Sequence, residues 1–100
     1  MKGLIASLNR AFDNRVRLGV MAVLMTREAV DFNELKTLLE ATDGNLASHI
    51  SKLEKEGFVL VKKQFLDKKP NTKYSVTAKG RQAFNKHISA LEALISNQNQ

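Results

Sequence analysis

The chain has no cysteine, one proline (Pro70), one tyrosine (Tyr74) and five scattered glycines. Without cysteine there is no disulfide framework, no thiolate nucleophile and no Cys-based metal site. The glycines (Gly3, Gly19, Gly44, Gly57 and Gly80) stand apart from one another, so no loop is built to cradle a phosphate. His49 and His87 lie on separate elements and fall short of the roughly four ligands of a structural zinc site. No Ser/His/acid set has an activating context, so no catalytic residue is assigned and no cofactor or metal is expected. Also missing is any stretch near the ~18 consecutive apolar residues of a membrane helix. The opening Met1–Ser7 is too short in its apolar run for a secretory signal. The expectation is a single small cytoplasmic domain over residues 1–100.

What is present is basic charge, and it is concentrated. The net charge is +6 and the isoelectric point about 9.8. Between Asp43 and Arg81 there are nine basic and four acidic residues, so most of the excess lies in that one stretch. Such a balance favours a polyanionic partner, either nucleic acid or an anionic membrane surface. The basic residues fall on an expected hairpin rather than opposite an apolar helix stripe, which argues against the membrane.

Hydrophobic spacing places the elements. Leu4, Ile5, Leu8 and Phe12 recur at helical intervals, Asp13-Asn14 is a break and cap, and Val16, Val20, Val23 and Leu24 continue the pattern. This N-terminal segment, about 3–26, reads as one bent helix or two. Gly19 inside it suggests close backbone approach by a neighbouring helix. Asp31 and Glu34 fit a capping box, with Val30 and Leu35 as its hydrophobic staple. Ala29-Val30 forms a brief strand, and Leu35, Leu38 and Leu39 face the core from a two-turn helix. Thr42 caps the next helix, in which Leu46, Ile50 and Leu53 are buried and Asn45, Ser48, Lys52 and Lys55 face outward, with His49 at the boundary. Gly57 ends it. Strands are expected after Phe58 and at Tyr74–Thr77, making a hairpin of about 58–77, with Asp67–Thr72 as the turn and Pro70 stiffening its tip. Thr77 caps a last helix of about 78–96 carrying Phe84, Ile88, Leu91 and Ile95 on one face, and Ser96–Gln100 is expected to fray. Two short helices joined by a tight turn describe a helix-turn-helix.

Three stretches then resemble the winged helix-turn-helix regulators of the bacterial MarR-like and ArsR-like group, in a small single-domain branch. They are Asn14-Arg15-Val16-Arg17-Leu18, Thr42–Ile50 with Leu53–Val59, and Ser75–Arg81. Asn14 stands where that branch commonly has proline. Ala47 replaces a frequent serine, at a position expected to lie toward the neighbouring helix. The resemblance implies a mainly α fold with a small β-hairpin, extra N- and C-terminal helices, and a DNA-binding homodimer paired through those terminal helices.

On this reading Asn45, Ser48, His49 and Lys52 contact bases in the major groove of double-stranded DNA. Thr42, Arg15, Arg17, Lys62, Lys63, Lys68, Lys69 and Lys73 contact phosphates, adding affinity that falls with salt. His49 serves equally well as a boundary histidine satisfied within the fold, and His87 is expected to be structural or interfacial. Leu4, Leu8, Phe12, Ile88, Leu91 and Ile95 are the candidate dimer interface. No residue set marks an effector pocket. The alternative function is an interaction module that binds an acidic protein partner through the same surface.

Overall fold

Two asparagines shape the N-terminus of the chain. In the computed structural model, which describes residues 2–98 (side chains 3–96), Asn9 Oδ1 accepts from the Ala11 amide at 2.9 Å and starts a 3-10 turn, Arg10–Phe12. Asn14 Oδ1 accepts from the amides of Val16 (2.9 Å) and Arg17 (3.1 Å) and starts α2, Arg15–Met25. With α1, Lys2–Ala6, ahead of them, the expected one or two helices become three pieces. Each asparagine satisfies first-turn amides that a continuous helix would have bonded internally.

The 3-10 turn also corrects the reading of Phe12. Its ring lies 5.4 Å from that of Phe58, 5.2 Å from Phe84 and 5.2 Å from His87, centroid to centroid. At 3% exposure it belongs to the core of the chain and offers no surface to a second copy. Val20, Met21 and Leu24 of α2 are completely buried beside it.

Strand β1, Val30–Asp31, leads directly into α3, Phe32–Leu39. Half of the expected capping box forms. Asp31 Oδ1 accepts from the Glu34 amide at 2.8 Å, whereas the Glu34 carboxylate turns to Arg27 Nη1 at 3.3 Å. Val30 and Leu35, the expected staple, are both fully buried. Leu38 departs from expectation: it is half exposed, so α3 packs through Leu35 and Leu39 alone of its leucines. A Leu39 methyl would meet a Cβ at Gly19 at 2.8 Å, so a side chain rather than a helix backbone makes the close approach there.

Glu40 closes α3 in the left-handed region (φ 52°), with the Ala41 amide donating to the Lys36 carbonyl. Thr42 then caps α4, Asp43–Lys55, its Oγ1 accepting from the Asn45 amide at 3.3 Å. Leu46, Ile50 and Leu53 are buried as the spacing required. At the other end the Phe58 amide donates to Leu53 and the Gly57 amide to Glu54. That paired closure needs a left-handed residue at its centre, and Gly57 has φ +80°.

The sheet is antiparallel in the order β1-β3-β2. Strands β2, Val59–Leu66, and β3, Lys69–Val76, pair along their full length from Val59↔Val76 to Leu66↔Lys69. The turn is therefore two residues, Asp67 and Lys68, both with positive φ, and not the six residues Asp67–Thr72. Pro70 lies within β3 opposite Phe65 rather than at the tip. It is tolerated because β1 pairs only as far as Tyr74 and Lys73. Counting back from the turn, Phe65↔Pro70 is a pair without mutual hydrogen bonds, so the missing amide would have faced an open edge.

Thr77 Oγ1 donates to the Gly57 carbonyl at 2.6 Å and accepts from the Gly80 amide at 2.9 Å, tying the end of α4 to the start of α5, Ala78–Gln98. Helix α5 takes in the first part of the tail expected to fray, and residues 99–100 of that tail lie outside the described residues. Among the described residues, five α-helices and a three-stranded sheet, with a helix-turn-helix running into a hairpin, are the mainly α winged helix architecture the sequence implied.

Candidate nucleic-acid interface

Helix α4 presents its polar face because its apolar face is fixed. Asn45, Ser48, Lys52 and Lys55 follow one another at helical spacing and all are exposed, while Leu46, Ile50 and Leu53 anchor the opposite side. Ala47 is exposed as well, so it sits outside the packing where it was expected.

His49 is half-buried and has a specific partner. Arg17 Nη1 donates to His49 Nδ1 at 2.9 Å, and Arg17 Nε donates to the Ala11 carbonyl at 2.6 Å. The ring is thereby held neutral with its proton on Nε2. Partial burial first, and then the charges of Arg17 and Lys52, depress its pKa below the ordinary value. Through these two bonds Arg17 braces α4 against the 3-10 turn. Arg15, in the first turn of α2, is exposed.

One basic residue carried no sequence signal. Arg10 lines a shallow cavity with Arg17, Lys52, Lys55 and Glu56. It reaches that position only because Asn9 starts the 3-10 turn, and nothing local in the sequence announces such a turn. Lys79, by contrast, is drawn away to the Phe58 ring, with Nζ 5.7 Å from its centroid.

The hairpin divides its lysines by register. Lys63, paired with Thr72, lies on the face that Val59, Val61, Tyr74 and Val76 bury at the hairpin base. Lys62 and Lys73 are directly opposite each other on the other face, and Lys69 follows on that face opposite Leu66. Lys68 occupies the turn. Like charges directly across a sheet are destabilising, and Asp31, paired with Lys73 on its other side, offsets part of that repulsion.

Elsewhere, His87 is buried and its Nδ1 accepts the Asn9 amide at 3.0 Å, so its role is structural. Leu4, Leu8 and Ile88 are half-buried, whereas Ile5, Leu91 and Ile95 are exposed. No helix among the described residues is long and apolar enough to cross a membrane.

Comparison with known proteins agrees with this geometry. Residues 16–95 match the family described as a winged helix DNA-binding domain. An uncharacterized protein of Methanocaldococcus jannaschii is 40% identical over 88 residues, covering 88% of this chain and 96% of that protein. The structure of a transcriptional regulator homologue from Pyrococcus horikoshii OT3 superposes with a TM-score of 0.86 at 32% identity, covering 99% of this chain and 96% of the other. A putative transcriptional regulator from Salmonella typhimurium shares the fold, with a TM-score of 0.72 at 21% identity over 91% of this chain and 80% of its own.

Proposed function

From the premise that the chain belongs to the winged helix DNA-binding domain family, we propose that it is a sequence-specific transcriptional regulator that binds double-stranded DNA as a homodimer. The observation that carries this reading is the α4 stripe of Asn45, Ser48 and Lys52, exposed on a helix whose other face is locked into the core. A helix so held presents base-reading groups without an ordering cost at the moment of binding. Asn45 pairs with the N6/N7 edge of adenine, and Lys52 with guanine O6/N7 or a phosphate. Thr42, at the amide-rich start of α4, takes a phosphate, as do Arg15 and the free N–H groups of Arg17.

The wing supplies the remaining grip. Lys62, Lys63, Lys68, Lys69 and Lys73 place positive charge along a hairpin that contains one acidic residue, Asp67. Neutralising phosphates releases counterions, so binding falls steeply as salt rises.

Dimerisation is supported by apolar surface on the terminal helices. Ile5 and Ile95 are 61% and 63% exposed and Leu91 is 37% exposed, with Leu4, Leu8 and Ile88 half-buried beside them. Covering that surface with a second copy sets two α4 helices one DNA turn apart, roughly 34 Å, and calls for an inverted-repeat operator. Selection of bound sequences from a random DNA pool tests the whole reading. An inverted repeat with salt-dependent affinity is the expected result, and the absence of any salt-dependent DNA binding would overturn it.

A further inference from the structure

The end of the wing is apolar where the rest of the wing is cationic. Phe65 is 76% exposed and Leu66 is 56% exposed. Register sets Phe65 directly opposite Pro70, so their two rings share one face at the end of the ribbon. Among the described residues the ribbon has no third strand beyond Lys73, because β1 reaches only Val30 and Asp31. Nothing in the fold needs an aromatic ring there, and an open ribbon edge is ordinarily protected by charge rather than by Phe and Leu.

We propose that the Phe65–Pro70 pair is a wedge that enters the minor groove of the bound duplex and unstacks a base step, bending the DNA. The proposal rests on the DNA-binding reading and extends it to the shape of the complex. Charge complementarity selects the partner: Lys63, Lys68 and Lys69 flank the two rings on one side or the other, Lys62 and Lys73 follow, and Asp67 alone opposes them. An apolar tip inside a cationic collar matches a groove whose walls are phosphates and whose floor is stacked bases.

Dimensions explain why a rigid wedge is required. The minor groove is about 6 Å wide, while two paired strands already stand about 4.8 Å apart before side chains are counted. The ribbon therefore enters only where the groove is opened, and apolar insertion between base pairs opens it while kinking the duplex. Proline has no side-chain freedom to lose and phenylalanine little, so both rings arrive ordered. The tight Asp67-Lys68 turn keeps the tip narrow. A wing that only holds phosphates needs the lysines and leaves Phe65 without a task.

The test uses the full chain and the duplex recovered by selection, labelled at both ends for energy transfer and carrying the fluorescent adenine analogue aminopurine at successive steps. Binding of the wild type is expected to raise aminopurine emission at one step in each half-site and to shorten the end-to-end distance. Phe65→Ala is expected to abolish both signals and to weaken binding roughly tenfold, the order of one buried aromatic side chain, with the salt slope unchanged. Its thermal transition is expected to stay at the wild-type value, since the removed ring is exposed. Wild-type binding with no change in emission or distance overturns the wedge and leaves the DNA-binding reading intact. Bending that survives Phe65→Ala also overturns it. If Phe65→Ala instead abolishes self-association while DNA geometry is unchanged, the tip belongs to a second copy and the wedge is wrong. A wild type that binds no DNA removes both readings.

Discussion

Arg17, on the first turn of α2, donates from Nη1 to His49 Nδ1 on α4 at 2.9 Å while its Nε holds the Ala11 carbonyl at 2.6 Å. One guanidinium thus fixes the helix that would read bases to the 3-10 turn and to α2. Hydrogen bonds from a charged donor contribute about 1.5–3 kcal/mol. Arg17→Ala is therefore expected to lower stability by about that much in urea titrations. Combined with His49→Ala, the loss should fall short of the sum of the single losses by about 1 kcal/mol, the signature of a shared contact. Strict additivity would show that the two residues act separately.

The same contact predicts a pH dependence with a definite sign. The folded-state pKa of His49 lies below its ordinary value of 6.5, through partial burial and then the Arg17 and Lys52 charges. Folding therefore favours the neutral ring, and its contribution is complete above the unfolded value. It is lost as pH falls through the lower folded value, where the imidazolium can no longer accept from Arg17. Thermal transitions are expected to be level above about pH 7 and to drop on acidification below the ordinary His range. His49→Asn, which keeps an acceptor without a titration, should lose part of that drop. An identical profile in wild type and variant would sink the assignment.

Gly80 and Gly44 should respond in opposite ways to the same change. A Cβ on Gly80 would overlap the Phe58 carbonyl oxygen and come within 2.9 Å of the Phe58 carbonyl carbon and Cα. That backbone is pinned by the Thr77 amide, which donates to the same carbonyl, so it cannot retreat. Gly80→Ala is expected to cost at least about 2–3 kcal/mol, the upper range for forced overpacking. At Gly44 nothing lies within 4 Å, and alanine is the better helix former by up to about 1 kcal/mol. Gly44→Ala should raise the urea midpoint slightly. A Gly80→Ala protein as stable as wild type would contradict the close α5–Phe58 contact.

These contrasts show which parts of the fold were legible in the sequence. Helix α4 was, since its cap (Thr42), buried stripe (Leu46, Ile50, Leu53) and terminator (Gly57) are local signals that agree. The hairpin register was not. Its two-residue turn is Asp67-Lys68, with neither asparagine nor glycine to mark the left-handed positions. Pro70 then looked like part of the turn because a proline inside a strand is allowed only at an unpaired edge, and that edge is visible only once β1 is placed. Phe12 was misplaced for a related reason: its burial depends on Phe58 and Phe84, both distant in sequence. In the candidate site the exposed stripe of α4 was readable from periodicity, whereas Arg10 and the Arg17–His49 bond depend on the 3-10 turn. Glu34 shows the same limit in miniature, since its choice of Arg27 over the Asp31 amide is decided by the chain that precedes the helix.

The Lys62–Lys73 pair offers a separation of stability from function. The two residues face each other in register, and directly opposed like charges destabilise a sheet by a few tenths to about 1 kcal/mol. Lys73 also has Asp31 across from it on its other side, which offsets part of that repulsion, so Lys62 is the cleaner position to change. Lys62→Thr removes the repulsion and places a β-branched residue in a strand, where it packs well. The variant is expected to be more stable in urea than wild type by up to about 1 kcal/mol. If Lys62 neutralises a phosphate, the same variant should bind DNA more weakly at low salt, with the slope of log affinity against log salt reduced by about 1. Anisotropy titrations across a salt series measure this directly. Greater stability with an unchanged slope would mean that the repulsion serves something other than the DNA backbone. Loss of stability would mean that the lysine stems pack against the sheet strongly enough to outweigh their charges.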